Sequence, residues 1–126
     1  MTFLDTHVIV WLYAKRLDQL SDVAKSRIDS AERLVVSPMV GLELQYLYEI
    51  SRVKLPAQAV ISHLSKVIGL TVSDDHGFMT IIDHAIDAAW TRDPFDRIIV
   101  AHARSHDAEL LSRDEAIRNH YEKALW

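Results

Sequence analysis

Short apolar runs alternate with longer amphipathic stretches along this chain, and the alternation predicts strands and helices in turn. Thr2-Phe3-Leu4-Asp5 reads as a brief buried strand ending in an acid, and Val8 to Tyr13 as an apolar helix packed on a sheet. Ser21 to Ala31 is a polar-surfaced helix with Val23, Ala24 and Ile28 turned inward, and Leu34 to Ser37 is the second strand. Ser37-Pro38 opens the next helix, proline at its first position, with an inward stripe of Met39, Val40, Tyr46, Leu47 and Ile50. Leu55 to Gly69 predicts a helix opened at Pro56 and stopped by glycine. Leu70-Thr71-Val72 is a third strand and Asp74-Asp75-His76 a solvated turn. Phe78 to Trp90 then forms a helix with Met79, Ile82, Ala85, Ile86 and Ala89 inward. A further helix starts at Asp93 and buries Phe95, Ile98, Ile99 and Ala103. Glu109 to Ser112 is a fourth strand, and Ala124-Leu125-Trp126 fits an edge strand or a frayed end. Strands alternating with helices, without repeats or linkers, predict one three-layer α/β domain over residues 1–126 with a mostly parallel sheet.

Composition narrows the chemistry. The chain has 126 residues, 49% apolar and 25% charged, which suits one soluble domain with a real core. No apolar run approaches the ~20 residues of a membrane span, and no signal-peptide pattern opens the chain, so a cytoplasmic protein without a membrane role is expected. Lack of cysteine excludes disulfides, thiol catalysis and Cys-type zinc sites. Three glycines and no Gly-rich loop leave a phosphate cradle of the P-loop type unsupported. A net charge of -4 argues against general nucleic-acid binding, so a phosphate substrate would need a metal or a local basic rim.

The acids carry the signal. Asp5 ends the first strand, where it could cap the next helix or face the crevice beyond the sheet. Glu43 stands inside an apolar stripe, where a carboxylate is costly unless a cation or hydrogen-bond donors satisfy it. In Asp93-Pro94-Phe95-Asp96, Asp93 sits as an N-cap and Asp96 where a capping box reaches back to it. Ser112 and Glu115 repeat that spacing and place Asp114 in the first turn of the next helix. Capping accounts for each acid singly. A parallel sheet, however, brings its strand ends together, so Asp5, Glu43, Asp96 and Asp114 are expected to converge. Such a cluster repels itself unless a divalent cation neutralises it, and oxygen-only ligation suits Mg2+ or Mn2+. Phosphodiester hydrolysis is the chemistry that follows.

LDTHVIVWL, SPMVGLELQYLYE, RDPFDRIIVAHA and LLSRDEAI, in that order and spacing, resemble the PIN-domain ribonucleases, in particular VapC-type toxins of toxin–antitoxin pairs. The resemblance spans nearly the whole chain. It implies an α/β/α fold on an about five-stranded parallel sheet, and Mg2+- or Mn2+-dependent cleavage of RNA. It carries the family's acids onto Asp5, Glu43, Asp96 and Asp114, with Asp93 as a neighbour and Thr6 and Ser112 as hydroxyls that steady a carboxylate or water. It also implies a homodimer and a VapB-like antitoxin in an adjoining groove, to which Trp11, Tyr46, Leu47 and Tyr48 could contribute. Arg92, Arg97, Arg104 and Arg113 could meet RNA phosphates or simply pair with adjacent acids. Thr91 departs from the family's habit without touching the acids.

Other readings weigh less. A Mg-dependent phosphatase wants a second acid two residues after the first, where this chain has His7, and a receiver-type domain wants paired acids after strand one. A catalytically inactive PIN-like binding module remains an alternative. His102 and His106 share a helix face without the further ligands of a zinc site, and Trp11, Trp90 and Trp126 are expected in core or interface.

Overall fold

The computed structural model describes all residues, 1–126. The chain runs β1 (Thr2–Leu4), α1 (Thr6–Tyr13), a 3-10 turn (Leu17–Gln19), α2 (Asp22–Ser30), β2 (Leu34–Val36), α3 (Pro38–Glu49), α4 (Ala57–Ile68), β3 (Thr71–Val72), α5 (Phe78–Ile86), α6 (Pro94–Ser105), β4 (Glu109–Leu111), α7 (Glu115–His120) and β5 (Ala124–Leu125). All strand pairs are parallel, in the order β3-β2-β1-β4-β5. The C-terminal residues thus form an edge strand.

Every residue of β1 and β2 is buried. Successive side chains on a strand point to opposite faces, so helices must cover the sheet on both sides. That makes the three layers. Phe3, Leu4, Val35, Val36, Leu110 and Leu111 are essentially inaccessible and form the middle of the core. α3 packs against α1, α4 and α6, and α5 lies along α6.

Order and register position the chemistry. Chain order departs from β1 in both directions, toward β2 and β3 on one side and β4 and β5 on the other, and ligands of open α/β sheets gather at such a switch. Leu4 of β1 is level with Leu111 of β4, so Asp5 and Ser112 emerge side by side. The Asp5 N–H donates to Leu111 O at 3.0 Å, fixing that alignment.

Two expected helix faces differ. α3 buries Val40 and Leu44, whereas Tyr46 and Ile50 are exposed. α5 stops at Ile86 and buries Ile81 and Ala85, while Met79, Ile86 and Ala89 face outward. Both helices are apolar on more than one side, and periodicity cannot say which apolar side a neighbouring helix covers. Val23 of α2 is likewise exposed, leaving Ala24 and Ile28 to face the core.

Candidate active site

Three helices begin with an aspartate, and all three aspartates face one cavity. Asp5 is the N-cap of α1, Asp93 of α6 and Asp114 of α7. Asp93 Oδ1 accepts from Phe95 N at 2.8 Å and Asp96 N at 3.3 Å, and Asp114 Oδ1 accepts from Ala116 N at 2.8 Å and Ile117 N at 3.2 Å. Asp114 is itself the cap, not a first-turn residue behind a Ser112–Glu115 box. Ser112 has a different task. Capping and chemistry are therefore compatible uses of the same side chains, because the helix ends that the acids cap carry a partial positive charge that favours anions.

The cavity, of about 410 Å3, is lined by Asp5, Thr6, His7, Glu43, Asp93, Asp96 and Asp114, with Val10, Leu47, Arg52 and Val53 completing its wall. All four acids expected to converge do line it, and so does Asp93. The five do not close on a common point, since no three stand at the spacing of a finished metal cage.

Each acid is held differently. Asp5 is 3% exposed; its Oδ1 accepts from Thr6 N at 2.7 Å and its Oδ2 from the Ser112 hydroxyl at 2.6 Å. Ser112 Oγ in turn accepts from Asp114 N at 3.1 Å, so one buried hydroxyl joins the ends of β1 and β4. Thr6 Oγ1 donates to Glu43 Oε1 and draws α3 toward α1. Burial pushes the Glu43 carboxyl up from its ordinary value, the Thr6 hydrogen bond opposes this, and Asp5 and Asp93 push it further up. Asp96 does not reach back to its cap. The Asp93 N–H donates to Thr91 Oγ1 at 3.2 Å instead. The Asp96 carboxyl, left without a hydrogen bond, is pushed up to about 7, chiefly by burial and then by Asp93, Asp5, Asp114 and Glu43.

A PIN domain family profile matches residues 2–123. The chain belongs to the PIN domain family. This PIN domain is 32% identical over 123 residues to a protein named Ribonuclease VapC22 of Mycobacterium tuberculosis, a match covering 93% of the present chain and 89% of that relative. Among solved structures it is similar to VapBC2 from Rickettsia felis bound to a promoter DNA fragment, with 19% identity, a TM-score of 0.67 and coverage of 94% and 91% of the two chains. It is also similar to a toxin–antitoxin complex from Klebsiella pneumoniae, with 15% identity, a TM-score of 0.68 and coverage of 100% and 97%. At these identities the likenesses establish the fold.

Two polar residues of the PIN domain's cavity escaped the sequence reading as site members. His7 Nε2 accepts the Arg113 N–H at 2.9 Å, and its Nδ1 lies 3.6 Å from Asp5 Oδ2, tying α1 to the loop that carries Asp114. Its adjacency to Asp5 in the sequence was the available signal. Arg52 had none, since it follows α3 in an unremarkable polar stretch. The four arginines named from sequence are placed elsewhere, and none pairs with an acid. Arg92 donates to Ala89 O, Arg97 to Ala85 O and Ile86 O, and Arg104 to His120 O, while Arg113 lies over Trp11 and reaches Gln19.

His102 of α6 and His106 at its C-cap lie outside the lining of the acid cavity. Buried His102 is hydrogen-bonded to Ser37 Oγ at 3.0 Å and Ser73 Oγ at 3.1 Å, knitting the ends of β2 and β3 to α6. His106 stacks on His76 at 3.8 Å and approaches Asp75 at 3.4 Å, so the Asp74-Asp75-His76 turn is partly anchored. Trp11 and Trp126 pack together at 5.7 Å, and Trp90 stacks on His120 at 4.9 Å.

Proposed function

We propose that residues 1–126 act as one PIN domain that hydrolyses RNA phosphodiesters with Mg2+ or Mn2+, as the toxin of a toxin–antitoxin pair in the cytoplasm. The observation that carries this reading is the convergence of five carboxylates on one cavity at the carboxyl ends of β1 and β4. Kinship with a ribonuclease, at 32% identity, supplies the substrate class.

The donor set fits a hard divalent cation. Oxygen donors surround the cavity and no sulfur does, while the single imidazole has one nitrogen committed to Arg113 N–H. Burial, and after it the neighbouring acids, push the Asp96 carboxyl up to about 7, and a cation would take the proton's place. Asp5 and Asp96 are the primary ligands in this reading, with Glu43 and Asp114 binding directly or through water and Asp93 alongside. A metal bound there would polarise the phosphodiester and activate water for attack. Ser112 and Thr6 orient Asp5 and Glu43 for that task, and the helix ends behind Asp5 and Asp93 stabilise negative charge in the cavity.

The partners follow the same kinship. The Klebsiella pneumoniae structure is a toxin–antitoxin complex and VapBC2 was solved on a promoter DNA fragment, and a VapB-like antitoxin is proposed here. A homodimer is proposed through α5 and its neighbours, where Leu42 and Phe78 line an apolar hollow and Met79 and Ile86 are exposed along α5, all four 58–68% exposed. No helix is long and apolar enough to cross a membrane.

The deciding experiment is cleavage of total cellular RNA by partner-free protein in Mg2+ or Mn2+ against EDTA, beside Asp96→Asn. Metal-dependent cutting that disappears in the variant is expected. Cutting retained by Asp96→Asn, or no cutting by the parent, rejects the assignment.

A further inference from the structure

Arg52 is the one arginine or lysine lining the acid cavity. It arrives there through the turn that ends α3. Ser51 N–H donates to Tyr48 O at 3.0 Å and Arg52 N–H to Leu47 O at 2.8 Å, with Ser51 in the left-handed region at φ 63. This is a Schellman closure, which favours glycine at the left-handed position and an apolar residue next, folded back on the helix's last turn. Here a serine and an arginine take those places.

Two of the chain's other closures of this kind show what is unusual. α6 turns at Asp107, φ 51, and the following Ala108 is buried as the pattern prefers. α1 turns at Lys15, φ 57, and the following Arg16 pairs with Asp18 at 3.2 Å. Arg52 does neither. Its side chain makes no hydrogen bond, and it forms an ion pair with none of the five carboxylates that share its cavity. Among the cations near the site, Arg97 and Arg113 are spent on Ala85, Ile86 and Gln19 oxygens.

An RNA chain approaching five carboxylates on a protein of net charge -4 meets repulsion at the mouth of the cavity. A guanidinium at that mouth, uncommitted to any acid, offers the planar pair of donors that a phosphate's non-bridging oxygens accept. Resting on the ribonuclease reading above, we propose that Arg52 is a substrate-binding residue that grips a backbone phosphate of single-stranded RNA at the entrance to the acid cavity. It acts on the polyanion's approach and hold, and the carboxylates act at the bond that is cut.

The test uses the full-length protein and a fluorescein-labelled single-stranded RNA of mixed sequence. Binding is followed by anisotropy across a salt series, in an Asp96→Asn background so that the probe survives, with and without Arg52→Gln. Affinity should fall about tenfold, and the slope of log K against log salt should flatten by about 0.7, the share of one phosphate contact on a single strand. In steady-state cleavage by otherwise native protein, Arg52→Gln should raise KM with kcat within about twofold, and Arg52→Lys should recover the salt slope and part of the affinity. Melting temperature and its response to Mn2+ should match the parent. Unchanged affinity and slope in Arg52→Gln, while the parent cuts RNA, overturns this assignment alone. A variant that instead loses its melting temperature and Mn2+ response makes Arg52 a structural counter-charge and also overturns it. A parent that neither binds nor cuts RNA removes the ribonuclease reading beneath it.

Discussion

The hydroxyl of Ser112 donates to Asp5 Oδ2 across 2.6 Å, in a position where neither residue is appreciably exposed. Because the same oxygen accepts the Asp114 N–H, it sets two acids from opposite ends of the chain relative to each other. Ser112→Ala should cost about 1–2 kcal/mol of stability, since it leaves buried polar groups unpaired. Mn2+ affinity should weaken roughly tenfold, the low end of what loss of such a support costs. Urea melts and Mn2+ titration by thermal shift measure the two. Unaltered Mn2+ affinity would remove the hydroxyl's orienting role.

Asp96 should make the metal-free protein less stable as pH rises. Its folded value, about 7, lies above the ordinary carboxylate value of 3.8. The folded state therefore holds the proton more tightly, and the advantage is complete below pH 3.8 and gone above about 7. In EDTA at pH 8, Asp96→Asn should be more stable than the parent by about 1–2 kcal/mol, discounted from the full shift because solvent reaches the group. That gain should vanish near pH 4. A variant no more stable than the parent at pH 8 would contradict the repulsion described for this cluster.

His102 has the opposite sign over nearly the same range. Burial, with smaller contributions from His106 and His76 against Asp75, lowers it from 6.5 to about 4. The folded state then favours the neutral ring, so its contribution is present above pH 6.5 and lost as pH falls through about 4. Since the two trends offset each other in the parent, Asp96→Asn should expose a clear loss of stability between pH 6.5 and 4. A melt series across that window in both proteins reads it, and a flat profile in the variant rejects the assignment to His102.

Ser51 offers a stabilising change. Its left-handed φ of 63 is a conformation that glycine adopts freely, and its side chain makes no hydrogen bond. Ser51→Gly should stabilise by up to about 1 kcal/mol, with RNA cleavage unchanged because Arg52 stays in place. Chemical denaturation beside the cleavage assay tests this, and a destabilised variant would show that the turn is not strained.

The outward apolar side of α5 should hold two copies together. Phe78→Glu with Ile86→Glu replaces two side chains that are 68% and 64% exposed, and should convert a dimer into a monomer in sedimentation with little change in fold. A parent that is already monomeric at tens of micromolar would dismiss the interface.

The four acids were legible because strand ends are easy to find and a parallel sheet must gather them. Asp5 directly follows one three-residue strand and Asp114 lies three residues past another, so strand topology alone sends both to one rim. Asp93 could not be assigned from letters, since cap and cavity-lining residue predict the same sequence, and the structure has it as both. Arg52 was invisible because a turn conformation aims it, not a periodicity. The faces of α3 and α5 were misjudged for a related reason. Leu44 and Ile81 are buried, while Ile50 and Ile86, equally apolar, stay 45% and 64% exposed.

The aspartates that start α6 and α7 could each become asparagine with almost no loss to the helix, because each caps through one oxygen and an amide oxygen caps as well as a carboxylate does. The protein is thus built to lose its chemistry long before it loses its shape. Selection against a harmful hydrolase of this design would leave folded, inert descendants. Such copies would still occupy whatever the active form binds, and would act as competitors for its partners.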